Sequence, residues 1–228
     1  MDHLQQLQDR LEKIQQELKD TALVVVTKYV NFDKVLNCYN MGVRDFGESR
    51  LQDLQEKARL LAEKNIHDHR WHFIGHLQSN KINSLLKIKN LYLIHSVDSL
   101  KLLQELLKKS HLLEHPVGLL LEVNTSGEKE KSGFGDYLGL QETVEYFIQQ
   151  KNSSWRFRGL MTMGRIRTDN FKEDARECFQ KLKEYRQKLQ EEFHLSDLKL
   201  SMGMSQDYSI ALEEGADYVR LGSAIFED

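Results

Sequence analysis

Lys28 stands directly after an apolar, β-branched run, residues 23–27, at the front of a chain that alternates extended and helical patterns to its last residue. An amine at the carboxyl end of the first strand of a βα barrel points into the mouth where such barrels keep their chemistry, and when desolvated it can form a Schiff base with a carbonyl. An isolated strand-end lysine more often snorkels into water, so the reading depends on what shares the rim with it. The other unusual sequences all fall just past apolar runs: FGES (46–49), IGHLQSNK (74–81), SVDS (96–99), NTSGE (124–128), MTMG (161–164), SMGMS (201–205) and RLGS (220–223). In barrels the loops after strands seven and eight commonly meet a phosphate with backbone N–H groups and a helix N-terminus. SMGMS and RLGS occupy those loops, across from Lys28.

Within them, Ser205 is placed to cap the following helix, 206–214, and to offer its hydroxyl and nearby amides to a phosphate. Gly222 permits close backbone approach, Ser223 adds a second hydroxyl, and Met202 and Gly203 of the same pair of loops are counted with the site. Arg220, two residues before Gly222, is either an ion-pair partner in the core or a ligand contact. A guanidinium never gives up its proton, so beside a pyridine nitrogen it would keep that nitrogen unprotonated. Other groups carry less. His72 and His76 have no acidic partner at zinc spacing, and no metal is expected. Met161, Met163, Met202 and Met204 read as adaptable apolar packing around the barrel mouth. Asp45, Glu48 and Asp98 could pair with Lys28 or Arg220 or cap turns, and spacing does not choose between them.

These clusters need eight strands to position them. Apolar runs at 22–27, 43–46, 72–74, 91–97, 117–123, 157–161, 198–201 and 218–221 supply that number, separated by helical periodicity such as 98–109 and 171–193. Strand and helix in alternation imply right-handed crossovers and a parallel sheet. Eight such units give a closed (β/α)8 TIM barrel. An open doubly wound sheet would need a Gly-rich fingerprint after the first strand, and none is present. Asn31 and Asp98 are the expected N-caps, with Gly42 and Gly215 expected just past helix ends. The loop 124–136 has no evident structural claim and is a candidate lid. Leu4, Leu7, Leu11, Ile14 and Leu18 form one helical stripe, so residues 1–20 are expected to be a helix packed on the barrel, and 1–228 a single domain.

Composition excludes several classes. With 228 residues, 40% of them hydrophobic, and a net charge of -3, the chain has no general pull toward nucleic acid or an anionic membrane. No apolar run approaches the roughly 20 residues that span a bilayer, and the N-terminus lacks the pattern of a secretory signal. Cys38 and Cys178 are far apart and suit reduced thiols, so a cytoplasmic location is expected.

At this point the motifs resemble a known family. WHFIGHLQSNK (71–81), HSVDS (95–99), VNTSGE with KSGF (123–134), GLMTMG (159–164), LSMGMSQD (200–207) and VRLGSAIF (219–226) are similar, in order, to the signatures of the pyridoxal phosphate homeostasis proteins, also called YggS or PROSC proteins. The resemblance covers nearly the whole chain. It implies an alanine racemase N-terminal-domain-like barrel of the type III pyridoxal 5′-phosphate (PLP) class, in which Lys28 bears the cofactor as a reversible Schiff base, Arg220 faces the pyridine nitrogen, and Ser205, Gly222 and Ser223 hold the phosphate. The chain departs from the family pattern at TKYVN (27–31), which lacks the usual second lysine and proline, at Ser49 in FGES, where asparagine is usual, and in running to Asp228 without a basic tail.

The expected function is therefore PLP binding in intracellular PLP homeostasis, with no catalytic residues. PLP is the cofactor, PLP-dependent apoenzymes and free amino acids are its expected recipients, neither nucleic acid nor membrane is a partner, and the chain is expected to be a monomer. The alternative is a PLP-dependent racemase or decarboxylase-like enzyme, which needs a second base across the cofactor, and the chain runs out at the eighth strand before any domain that could supply one. A class I aldolase-like barrel would use the same lysine and phosphate loops but not the recognised motifs.

Overall fold

The computed structural model describes residues 3–128, 130–165 and 168–227. Its elements are α1 (His3–Leu18), β1 (Ala22–Val26), α2 (Phe32–Asn40), β2 (Asp45–Glu48), α3 (Leu51–Glu63), β3 (Arg70–Phe73), α4 (Ile82–Leu86), β4 (Leu91–Val97), α5 (Leu100–Leu107), β5 (Val117–Glu122), α6 (Tyr137–Gln149), β6 (Trp155–Met161), α7 (Phe171–Phe193), β7 (Lys199–Ser201), α8 (Tyr208–Glu213), β8 (Tyr218–Leu221) and α9 (Ser223–Phe226). The strands pair in chain order, all parallel, and β8 returns to β1 to close the barrel, with Val24 opposite Arg220. That closure selects the (β/α)8 TIM barrel over the open sheet. It also makes β1 and β8 neighbours, so Lys28 sits beside the β8 loop and not across the barrel from it.

Side chains alternate between the two faces of each strand. Val25, Phe46, Trp71, Phe73, Val219 and Leu221 face outward into the large core beneath the helices. Val24, Leu93, Leu120, Met161 and Tyr218 form a separate, smaller cluster within the barrel. This parity positions the site. Counting by twos from Val24 reaches Val26 and then Lys28 at the rim, and from Tyr218 it reaches Arg220 and Gly222. On β7 it turns Ser201 inward, so Met202 points out and is fully buried in the outer core. Three of the four methionines read as mouth packing do belong there, with Met161 in the inner cluster and Met163 and Met204 at the rim.

The N-terminal stripe buries Leu7, Leu11, Ile14 and Leu18, while Leu4 stays exposed. Arg10 bonds the carbonyl of Ile225, and Tyr208 donates to Glu17 at 2.6 Å, which ties α1 to α8 and α9. Asn31 caps α2 as expected, accepting from the Lys34 amide at 3.1 Å. Asp98 does not cap α5. Ser99 does, accepting from Leu102, because the cap must lie three residues before the amide it serves; Asp98 instead receives the Ser99 hydroxyl at 3.0 Å. Gly42 and Gly215 take the left-handed conformation expected past a helix end. The loop after β5, a candidate lid, is tied to the barrel at several points. Phe134 is buried and exchanges backbone bonds with Glu122 and Asn124, and Lys131 bonds the carbonyl of Gly164.

Closure of the wall between β6 and β7 depends on Gly159, whose φ of +134° and close approach leave no room for a side chain: a Cβ there would lie 2.0 Å from the Lys199 carbonyl oxygen. Gly159→Ala should lower stability by about 3 kcal/mol or more, combining overpacking with backbone strain. Urea unfolding checks this, and a midpoint equal to that of the parent would refute the tight seam.

Candidate functional site

A cavity of about 470 Å³ opens at the C-terminal mouth between the ends of β1, β7 and β8, a size suited to a small organic ligand. Lys28, Ser205, Arg220, Gly222 and Ser223 all line it. Met202 and Gly203 do not. Met202 is turned outward by strand parity, and Gly203, at φ +93°, packs against Ala211 and accepts the Arg220 amide through its carbonyl. Both shape the loop from behind the cavity wall.

The loop after β7 corrects the reading of Ser205. Asp207, not Ser205, precedes α8, and its carboxylate accepts from the Met204 amide at 2.6 Å. The Ser205 hydroxyl oxygen instead accepts from the amides of Gly222 at 3.4 Å and Ala224 at 3.1 Å, at the start of α9. Two backbone donors thus converge on one oxygen beside the Ser223 hydroxyl. Gly222 fits against β1, where a Cβ would stand 3.3 Å from the Val26 carbonyl.

Lys28 is half-buried, its amine 5.0 Å from the ring centre of Tyr29, which is largely exposed. The backbone that presents it is clamped from beneath. Lys57 of α3 donates to the Thr27 carbonyl at 2.6 Å and to Glu48 at 2.5 Å, and Glu48 also takes the Thr27 hydroxyl at 2.9 Å. Glu48 and Lys57 are both buried, so each charge depends on the other. Of the three acids whose role spacing left open, Glu48 therefore serves this clamp, Asp45 meets His72 and Arg70, and Asp98 faces His76 at 3.2 Å.

Arg220 is buried, and burial lowers its pKa to about 10, against the pull of Asp207 and Glu122, leaving it charged at neutral pH. Its two terminal nitrogens bond neutral acceptors, the Ser201 hydroxyl at 2.6 Å and the Thr162 carbonyl at 2.9 Å. Glu122, at the end of β5, has its pKa raised by burial and by Asp98, with Arg220 opposing.

Several lining residues escaped the reading of the sequence: Ile74 and Phe171 give apolar walls beside the expected Met163 and Met204, and Lys34 and Asp207 add charge. Ser49, one of the departures from the family pattern, also borders the cavity. His76 is exposed and takes no part in it; among the described residues no cluster of His, Cys, Asp or Glu could hold a metal.

Fold and site together define a (β/α)8 barrel with an amine, a buried guanidinium and convergent amides at its mouth. The model of the alanine racemase N-terminal domain matches residues 3–228. The pyridoxal phosphate homeostasis protein of Schizosaccharomyces pombe is 36% identical over 91% of this chain and 84% of its own, and that of Aquifex aeolicus 34% identical over 98% and 93%. PipY of Synechococcus elongatus PCC7942, solved with PLP bound, superposes with a TM-score of 0.86 at 28% identity, covering 96% of this chain and 99% of PipY. This chain belongs to the pyridoxal phosphate homeostasis family, within the alanine racemase N-terminal domain group.

The buried clamp generates a test of its own. Lys57→Met strands the Glu48 carboxylate without a cation and should cost about 3–5 kcal/mol. Adding Glu48→Gln should recover most of that loss, since no buried charge then remains. Chemical denaturation of the single and double variants measures both, and a double variant no more stable than the single would show that the pair does not act as a unit.

Proposed function

We propose that this chain is a PLP carrier that holds the cofactor reversibly at the barrel mouth for PLP homeostasis and does not turn over a substrate. The observation that carries the reading is the gathering of Lys28, Arg220, Ser205, Gly222 and Ser223 in one cavity, with the Gly222 and Ala224 amides converging on the Ser205 hydroxyl. These groups suit the three handles of PLP. Lys28 would hold the aldehyde carbon, Arg220 would face the pyridine nitrogen, and Ser205, Gly222 and Ser223 would hold the phosphate, with Met202 and Gly203 supporting that loop. When bound, PLP supplies an electrophilic aldehyde and an electron-withdrawing ring. The apolar walls would take the ring faces.

Support for binding over catalysis comes from Arg220. A permanently protonated donor requires a lone pair opposite it, and a pyridine nitrogen kept without its proton is a weak electron sink. The homeostasis name carried by the relatives agrees with this. Alanine racemase from E. faecalis shares the fold, with a TM-score of 0.71 at 17% identity, and that likeness concerns the fold alone.

In this reading residues 1–228 work as one PLP-binding domain, with 1–20 an N-terminal helix against the barrel, and the chain acts as a cytoplasmic monomer that passes PLP to apoenzymes or free amino acids. Among the described residues no helix is long and apolar enough to cross a membrane.

Borohydride reduction of the PLP-loaded protein, followed by peptide mapping, should place the label on Lys28, and Lys28→Ala should lose it. The same loaded protein, incubated with L- and D-amino acids, should release PLP without forming keto acid, amine or the opposite enantiomer faster than free PLP does. Turnover above that level and abolished by Lys28→Ala would replace the carrier with an enzyme.

Charge-assisted bonds to a phosphate contribute about 1.5–3 kcal/mol each. Ser205→Ala should therefore weaken PLP binding roughly tenfold or more, and pyridoxal, which lacks the phosphate, should bind far more weakly than PLP. Equal affinity for the two would remove the phosphate assignment.

A further inference from the structure

A polar chain crosses the barrel interior beneath the cavity, and cofactor binding as described above does not use it. Arg70 donates to Asp45 at 2.5 Å, the other Asp45 oxygen lies 2.8 Å from His72 Nε2, and His72 Nδ1 lies 2.9 Å from His95 Nε2. His95 Nδ1 is 2.8 Å from the Ser201 hydroxyl, which takes the Arg220 bond at 2.6 Å. His72, His95 and Ser201 are buried and Arg220 nearly so, and the rings of Tyr92 and Tyr218 pack on the two histidines. The chain runs from the foot of β2 and β3 to the floor of the cavity.

Its polarity follows from which atoms can donate. A guanidinium only donates and a carboxylate only accepts, and a neutral imidazole does one of each. Burial keeps both rings neutral; for His95 the neighbouring ring and the Arg220 charge act in the same direction. Bonds from His72 and Arg70 outweigh burial and hold Asp45 ionised. Asp45 must therefore receive a proton from His72 Nε2, which leaves His72 Nδ1 as an acceptor. His95 must then donate from Nε2 and accept at Nδ1, and the acceptor at Nδ1 takes the Ser201 proton. The Ser201 lone pairs are thereby turned to Arg220. The reverse order would require a doubly protonated His72 in a buried site.

We propose that His95, acting through Ser201 and held in one tautomer by His72 and Asp45, is a positioning residue that fixes the Arg220 guanidinium in the orientation that meets a heteroaromatic ring nitrogen. A free hydroxyl could rotate its proton toward the guanidinium; with His95 as acceptor it cannot. Together with the Thr162 carbonyl, the oriented Ser201 oxygen anchors two points of the guanidinium and so sets its plane. The inference rests on the reading that Arg220 faces the PLP nitrogen.

The test has two arms. In the protein without added PLP, long-range proton–nitrogen NMR of the histidine side chains at neutral pH should show both His72 and His95 protonated at Nε2 alone. Either ring charged, or protonated at Nδ1, overturns the relay. With PLP labelled with nitrogen-15 in its ring, the parent should give an unprotonated nitrogen signal. His95→Leu and the nearly isosteric Ser201→Ala should each shift that signal and weaken binding roughly tenfold, the effect of losing one bond to a charged group. His95→Gln, whose amide can accept from Ser201 and donate to His72, should restore both. Arg220→Gln separates the two failures. If it shifts the nitrogen signal while His95→Leu and Ser201→Ala do not, the positioning role is overturned and the arginine reading stands. If Arg220→Gln itself changes nothing, the arginine reading falls and this proposal falls with it.

Discussion

A guanidinium taken out of water at the end of β8 must be solvated by the protein, and much of the barrel interior is arranged to do so. Removing such a charge from solvent is costly unless it is hydrogen-bonded or paired. Among the described residues no carboxylate bonds Arg220 directly; its terminal nitrogens reach a hydroxyl and a carbonyl, and Asp207 and Glu122 act on it only through their field. A directly bonded carboxylate would have satisfied the charge and dulled its pull on a ligand. Neutral acceptors leave that pull largely intact while fixing where the group lies. The cost falls on the strands around it, where His72, His95 and Ser201 occupy inward positions that barrels usually fill with branched apolar side chains.

The β1–β8 seam imposes the second constraint. The amine comes from the first strand and the guanidinium and amide cradle from the last, so the site exists only once the barrel has closed. Val24 pairs with Arg220, and Gly222 lies against Val26, which sets the spacing of Lys28 from the cradle by backbone register and not by loop geometry. The Glu48–Lys57 clamp on the Thr27 carbonyl extends that control by one residue, to the point where the strand ends and Lys28 begins. A ligand that bridges β1 and β8 binds the closed state alone, and it must therefore stabilise the barrel as it binds.

How much of this could be read from the sequence depends on whether the signal is local. The strands were legible because each is a short apolar run between polar clusters, and α7 was legible from end to end because its periodicity is long. Lys28, Arg220, Gly222 and Ser223 were legible as strand-end residues, since strand ends become a rim in any closed barrel. Ser205 was found for the wrong reason: a serine before a helix reads as its cap, whereas its partners lie in the next loop, after β8. Met202 was misplaced because a three-residue strand leaves its parity ambiguous, and only the Ser201–Arg220 bond shows which residue faces in. The histidine chain gave no signal, because its members come from five strands and each histidine looks alone like a buried polar residue. The tie of the loop after β5 was hidden likewise, for Phe134 finds its place only against β5.

Holding a reactive aldehyde and using it are different tasks, and the same features serve one at the expense of the other. Catalysis on amino acids is helped by a protonated ring nitrogen and by a base placed across the ring. In the proposed reading a cation opposite the nitrogen opposes the first, and neither His95, held neutral by burial, nor Arg220, whose pKa is lowered only to about 10, changes charge near neutral pH. The amine, by contrast, sits at the rim beside the exposed ring of Tyr29, where an incoming amine can reach it. In the proposed reading, buried recognition of the nitrogen and phosphate, coupled to an accessible covalent handle, favours capture and exchange. Under that reading, interior polarity that would be wasteful in a purely structural barrel follows from the requirement that a bound cofactor be held specifically and kept quiet.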